Sequence, residues 1–205
     1  MTPVERLREI HHPVTHRPLP TEVRRLIDDA ERRIEDLVTA RGDTSLEGFV
    51  ASDFAMVYPL LASIAEQFGV GSFVEWGSGL GVVTMMAAGL GFDACGIEIQ
   101  PDLVLAAEEL ARDHEIEAEF AAGSFVPASA QFLLDNAEWP EYLACGGSDG
   151  HDALDIDPTD IDLVFVFPWP GEARVIESVF ARICDPGAML LMWERVEGAR
   201  LLRKD

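Results

Sequence analysis

Residues 72 to 81 read SFVEWGSGLG, in which five residues of strand character run straight into glycines at every second position, Gly77, Gly79 and Gly81. VVTMMAA follows with the character of a helix, continuing to about Ala88. A strand, a tight glycine turn and a helix in direct succession form the first half of a βαβ unit, which commits a chain to parallel strand pairing. The rest of the sequence keeps that rhythm. DACGIEI (93 to 99), IEAEFAA (116 to 122), IDLVFVF (161 to 167) and AMLLMWE (188 to 194) read as further strands. PDLVLAAEELARDH (101 to 114), with Pro101 in its first turn, and EARVIESVFARIC (172 to 184) read as the helices between them.

Two helices precede this unit. TEVRRLIDDAERRIEDLVTAR (21 to 41) carries apolar residues at helical spacing behind Thr21 as its N-cap, and a second helix runs from near Ser52 to about Phe68, kinked or started late by Pro59. The expected fold is α/β, Rossmann-like and doubly wound, with a mostly parallel sheet and helices on both faces. A chain of 205 residues supports one core. Residues 1 to 43 are expected to form an arm and helix packed on the unit made by residues 44 to 205, with HHPVTH, which includes His11, His12 and His16, as an irregular arm and not a metal site.

Ligands of open parallel sheets bind beyond the carboxyl ends of the strands, where the EWGSGLG turn lies. Glycines there let the backbone approach a ligand without an intervening Cβ. A phosphate-binding Walker loop needs a lysine that this turn lacks, and a dinucleotide fingerprint needs glycine where Val82 stands. Glu75 beside the turn would repel a pyrophosphate, with no Arg or Lys nearby, so a cationic ligand suits it better. Glu98 ends the next strand, 21 residues after Gly77. A carboxylate there accepts hydrogen bonds from ribose hydroxyls, each charge-assisted bond being worth about 1.5 to 3 kcal/mol. S-adenosylmethionine meets these requirements, with a ribose, a sulfonium and no phosphate. An NAD-dependent oxidoreductase is disfavoured by the glycine spacing.

EWGSGLG resembles the first motif of the class I S-adenosylmethionine-dependent methyltransferases, E/D-x-G-x-G-x-G, and GIEIQPDLV resembles their second. The resemblance covers roughly residues 50 to 194. It implies that Glu75 and the backbone of Gly77, Ser78, Gly79 and Gly81 hold the methionine end, Glu98 the ribose, and Ile99 one face of the adenine. AGSF matches the segment after the third strand, placing Ser124 and Phe125 at the adenine, with Ser124 where an acid often stands. FPWPGE follows the fourth strand, so Phe167 and Pro168 would line the cofactor and Trp169 and Glu172 would face the methyl acceptor. Nucleobase amine methyltransferases often carry a polar residue where Phe167 stands, and that departure argues against a nucleobase. The GFDACGIE run and the short fourth strand ending in proline also resemble small lysine methyltransferases that lack the SET fold. A protein lysine or small-molecule amine is therefore the expected acceptor. A catalytically silent module that binds S-adenosylmethionine as a regulatory ligand is the alternative.

The related fold usually ends in two further strands, whereas only RVEGARLLRKD follows AMLLMWE here. The expectation is a missing or shortened C-terminal hairpin and an exposed sheet edge, over which two copies can pair. The formal charge of −22 lies almost wholly beyond residue 41, where seven basic residues face 29 acidic ones. Between Asp43 and Glu172 the one basic residue is Arg112, which leaves no stripe for a nucleic-acid backbone. NAEWPEYLACGGSDGHDALDIDPTD (136 to 160), with five aspartates from Asp149 to Asp160, reads as a solvated or mobile insertion, since Leu154 stands where a calcium loop needs glycine. Three spread cysteines give neither a metal pattern nor a complete disulfide set, and with no apolar leader or membrane span a reduced, cytoplasmic protein is expected.

Overall fold

The structure is a computed structural model, and it describes residues 7–11, 17–40, 52–134, 147–194 and 198–205. Seven strands form one sheet: β1 (Leu7–Glu9), β2 (Ser72–Trp76), β3 (Asp93–Glu98), β4 (Glu119–Ala122), β5 (Leu163–Val166), β6 (Met189–Glu194) and β7 (Gly198–Lys204). Their spatial order is β1-β7-β6-β5-β2-β3-β4. β2 to β6 are mutually parallel, and β7 runs antiparallel between β6 and β1. Helices α1 (Thr21–Ala40), α2 (Phe54–Phe68), α3 (Val82–Gly89), α4 (Pro101–Asp113), α5 (Gly150–Ala153) and α6 (Ala173–Ile183) complete the chain order.

Side-chain alternation explains how the sheet buries both faces. Phe73, Leu163, Phe165, Leu191 and Leu201 face α1 to α4, while Val74, Trp76, Val164, Val166, Leu190, Met192 and Leu202 face α6. Leu26, Ile27 and Ala30 of α1 belong to the first of these cores. Arg33 ties the same helix to Asp113 of α4, and Asp29 accepts from His114 at 3.1 Å.

The two termini change the expected outline. RLLRK is paired in β7, antiparallel to β6 from Met189↔Arg203 to Glu194↔Gly198. One of the two strands expected after β6 is thus present. The place beyond it is filled from the other end of the chain, by Leu7–Glu9 paired with Leu202 to Lys204, and the N–H of Ile10 donates to Leu201 at 2.8 Å. The expected open edge of β6 is covered, and residues 7–9 of the N-terminal arm are a strand of the sheet. His12 and His16 lie outside the described residues. β1 is three residues long and presents Arg8 and Glu9 to solvent, two devices that discourage further edge pairing.

β7 ends in the chain's one lysine. Lys204 is buried, and its Nζ donates to the carbonyls of Ala181 at 2.7 Å and Cys184 at 2.6 Å, at the end of α6. A cation on orphan carbonyls at a helix C-terminus satisfies both hydrogen bonding and the helix dipole. Lys204→Met is expected to destabilise the fold by about 1 to 3 kcal/mol, read as a lower urea midpoint with an unchanged slope.

Candidate functional site

The glycine turn joins β2 to α3 where the strand order reverses, since β2 has β3 on one side and β5 on the other. Gly77, Gly79 and Gly81 all take left-handed backbone angles, with φ of 76°, 53° and 70°. A side chain is disfavoured at each of them. The N–H groups of Gly77 and Ser78 both donate to the carbonyl of Ile97, at 2.9 and 3.0 Å, which fastens the turn to the end of β3. Ser78 turns its side chain inward onto Gly96, where an added Cβ would lie 2.8 Å from the serine Oγ. Of Ser78, the backbone shapes the turn and the hydroxyl faces the sheet.

Glu98 stands at the rim of this turn, 6% exposed, and bridges two loops. Its Oε2 accepts from the N–H of Gly79 and its Oε1 from the N–H of Gln100, each at 2.9 Å. An ionised carboxylate offers about four acceptor positions, so two stay available to hydroxyls of a ligand.

Glu75 has a different surrounding from the one expected. It is 5% exposed, and its Oε2 accepts both the N–H of Thr84 at 2.9 Å and the Thr84 hydroxyl at 2.6 Å. Thr84 lies in the first turn of α3, whose N-cap, Gly81, has no side chain to offer. Glu75 supplies the missing cap from the neighbouring strand. Burial pushes its carboxyl up to about 8, although both Thr84 hydrogen bonds pull it down. The expectation of a free negative charge facing a cation is thereby corrected: the carboxyl is turned under α3 and bonded to Thr84.

That raised value has a consequence for stability. The folded protein holds this proton more tightly than the unfolded chain, so the stabilisation is complete below about pH 4.5 and is lost as pH rises through about 8. Glu75→Gln keeps an acceptor for Thr84 and removes the titration. Between about pH 6 and pH 9 the wild type is expected to lose about 3 kcal/mol relative to Glu75→Gln, measured by urea denaturation at both values.

On the adenine side expected from the sequence, Ile99 points at the segment 147–150, its Cδ1 lying 3.8 Å from where a Cβ of Gly147 would be. The Ser124 hydroxyl is engaged with the N–H of Val126 at 3.0 Å. Phe125 stacks on Trp76, with centroids 5.0 Å apart and planes within 7°. On the other side of the crevice, Phe167 and Trp169 are half-buried and Pro168 is buried. Glu172 is 4% exposed, and its Oε2 accepts from the N–H of Trp169 at 3.1 Å. Through this bond the carboxylate closes the FPWPGE turn and fixes the backbone of Trp169.

Sequence reasoning missed the part played by the acidic segment. Its residues 136–146 lie outside the described residues, but 147–160 pack on the domain instead of standing off as a solvated insertion. Ser124 and Asp149 form a parallel bridge, with Ser124 N–H donating to Ser148 and Gly150 N–H donating to Ser124, both at 2.9 Å. Gly123 and Gly150 permit this approach, since a Cβ on either would come within 3 Å of Ser148 or Ile97. His151 is buried behind them. The available signal was Asp149 before GHDA, an N-cap pattern whose carboxylate accepts from the N–H of His151 at 2.9 Å.

No family model matches the chain, and no curated protein matches it. Among solved structures, a methyltransferase from Geobacter sulfurreducens is similar with a TM-score of 0.53 and 16% identity, over 92% of this chain and 93% of that one. An RNA methyltransferase from Salinibacter ruber, in complex with S-adenosyl-L-homocysteine, is similar with a TM-score of 0.49 and 18% identity, over 76% and 92%. The architecture is the Rossmann-like α/β fold of methyltransferases.

Proposed function

We propose that this chain is an S-adenosylmethionine-dependent methyltransferase acting on an amine, with a protein lysine as the leading acceptor. The observation that carries the reading is Glu98, a rim carboxylate spanning Gly79 and Gln100 at the strand-order reversal, with spare acceptor positions for a ribose. The residues present fit the cofactor. Gly77 has nothing within 4 Å of a hypothetical Cβ, so a ligand can lie against its backbone, and no basic side chain stands in the turn for a phosphate.

When bound, S-adenosylmethionine supplies a methyl group that passes in line from sulfur to the lone pair of an amine nitrogen. The chain's contribution is alignment and exclusion of water. Phe167, Pro168 and Trp169 form a largely apolar wall for an amine arriving deprotonated, and Glu172 holds Trp169 in place. The acidic surface favours a basic protein partner over a nucleic acid.

Phe167 at the usual polar position supports one second reading, a silent module that keeps the ligand without passing on its methyl group. Titration calorimetry with S-adenosylmethionine, S-adenosylhomocysteine and NAD is expected to show binding of the first two only, and binding of NAD alone would refute the ligand. Transfer of labelled methyl to a protein band of a cell extract is expected for the enzyme. A bound ligand with no labelled product selects the silent module.

A further inference from the structure

Trp76 and His151 form a buried polar contact that the transfer chemistry does not use. The indole N–H of Trp76 donates to Nε2 of His151 at 3.2 Å, and Nδ1 of the same ring lies 3.3 Å from Asp149 Oδ1. An indole nitrogen can only donate, so Nε2 must accept, and the proton of the neutral ring sits on Nδ1 facing Asp149. His151 is 1% exposed and stands edge-on to the Trp76 ring.

Both ends of this contact adjoin segments expected to line the cofactor site. Trp76 is the residue before Gly77, and a face of its ring carries Phe125. Asp149 is bridged to Ser124, and the segment beginning at Gly147 faces Ile99. The hydrogen bond therefore joins the residue before the glycine turn to the segment that faces Ile99, the residue expected at the adenine.

We propose that His151 is a positioning residue that latches segment 147–151 onto Trp76 and so holds the adenine wall in place, making cofactor affinity depend on the ring staying neutral. The proposal rests on the reading that this pocket takes S-adenosylmethionine. A second proton would turn Nε2 into a donor aimed at another donor, and the contact would open. Burial already lowers the tendency of His151 to take that proton, while Asp149 and Asp152 on its own helix oppose this. Beside the ring, a cavity of about 400 Å³ also bears Asp157 from the segment before β5 and Arg182 from α6, so protons have a route from solvent.

The test is calorimetry with S-adenosylhomocysteine at about pH 5 and pH 7, alongside the indole 15N–1H resonance of Trp76, assigned through Trp76→Phe. Wild type should bind more weakly at the lower pH, and the resonance should titrate over the same range. His151→Gln offers an oxygen that accepts the indole N–H and does not titrate. It should bind somewhat more weakly than wild type at pH 7 and lose most of the pH dependence. His151→Leu should be weaker than the glutamine variant at both values. Equal pH dependence in wild type and His151→Gln, or equal affinity of the Gln and Leu variants, overturns the proposal. Absence of binding at every pH removes the cofactor reading and this proposal's ligand together, and the indole titration tells that failure apart from failure of the latch alone.

Discussion

Gly81→Ala is expected to destabilise the protein by about 2 to 5 kcal/mol, the sum of a left-handed backbone penalty and of overpacking. Its φ of 70° is one cause. The other is that an added Cβ would stand 2.2 Å from Cε1 and 2.4 Å from Cζ of Phe120. The same ring lies against Gly96, where its Cδ1 would be 2.7 Å from an added Cβ. Gly81 and Gly96 together make a flat seat for Phe120 across the start of α3 and the middle of β3. Gly77→Ala has a different expected outcome. Its φ of 76° brings a similar backbone penalty, about 1 to 2 kcal/mol, but nothing stands within 4 Å of the new methyl group. The open space is where the ligand is proposed to lie. Gly77→Ala should therefore fold with a small loss and bind S-adenosylhomocysteine at least about 10-fold more weakly, about 1.4 kcal/mol. Urea denaturation and calorimetry on both variants check the division, with Gly89→Ala as a control in open space at ordinary φ. A Gly77→Ala protein of unchanged affinity would place the ligand elsewhere.

The same contrast shows what the sequence could reveal. Three alternating glycines after a strand announce a turn that excludes side chains, and short continuous apolar runs such as LVFV announce buried strands. Their spacing is local, so it can be read from a single chain. β1 could not be read this way: LRE has no strand signature, and it is a strand because β7 offers it hydrogen bonds from the far end of the chain. RLLRK looked like a tail for the same reason. The carboxylates Glu75 and Glu172 were recognised as important, but the direction of a side chain is set by what surrounds it. Thr84 draws one and the N–H of Trp169 draws the other. His151 was hidden by its neighbours, since an acidic, glycine-rich sequence reads as solvated unless a buried donor such as the Trp76 indole is known to face it.

Glu98→Ala is expected to weaken S-adenosylmethionine binding by about 10- to 100-fold, the equivalent of one charge-assisted hydrogen bond or more. Two effects are combined in that figure. The alanine removes an acceptor for the ribose, and it also releases the N–H groups of Gly79 and Gln100 that the carboxylate now holds at 2.9 Å. A ligand lacking the 2′-hydroxyl separates them. If Glu98 touches the ribose, wild type should prefer S-adenosylhomocysteine over its 2′-deoxy analogue, and Glu98→Ala should lose that preference. If Glu98 only ties the loops together, both ligands should weaken equally in the variant, and the preference should survive. Glu98→Gln adds a third comparison. Its amide has one acceptor oxygen for two backbone donors, so one loop stays tied and the other faces an NH₂ group. It should fall between wild type and Glu98→Ala in stability while losing the charge-assisted part of ribose recognition. Of the two carboxylates beside the turn, Glu98 is the one proposed to meet the ribose, because Glu75 is committed to α3. On that proposal, discrimination between hydroxylated and deoxygenated ribose should depend on this side chain.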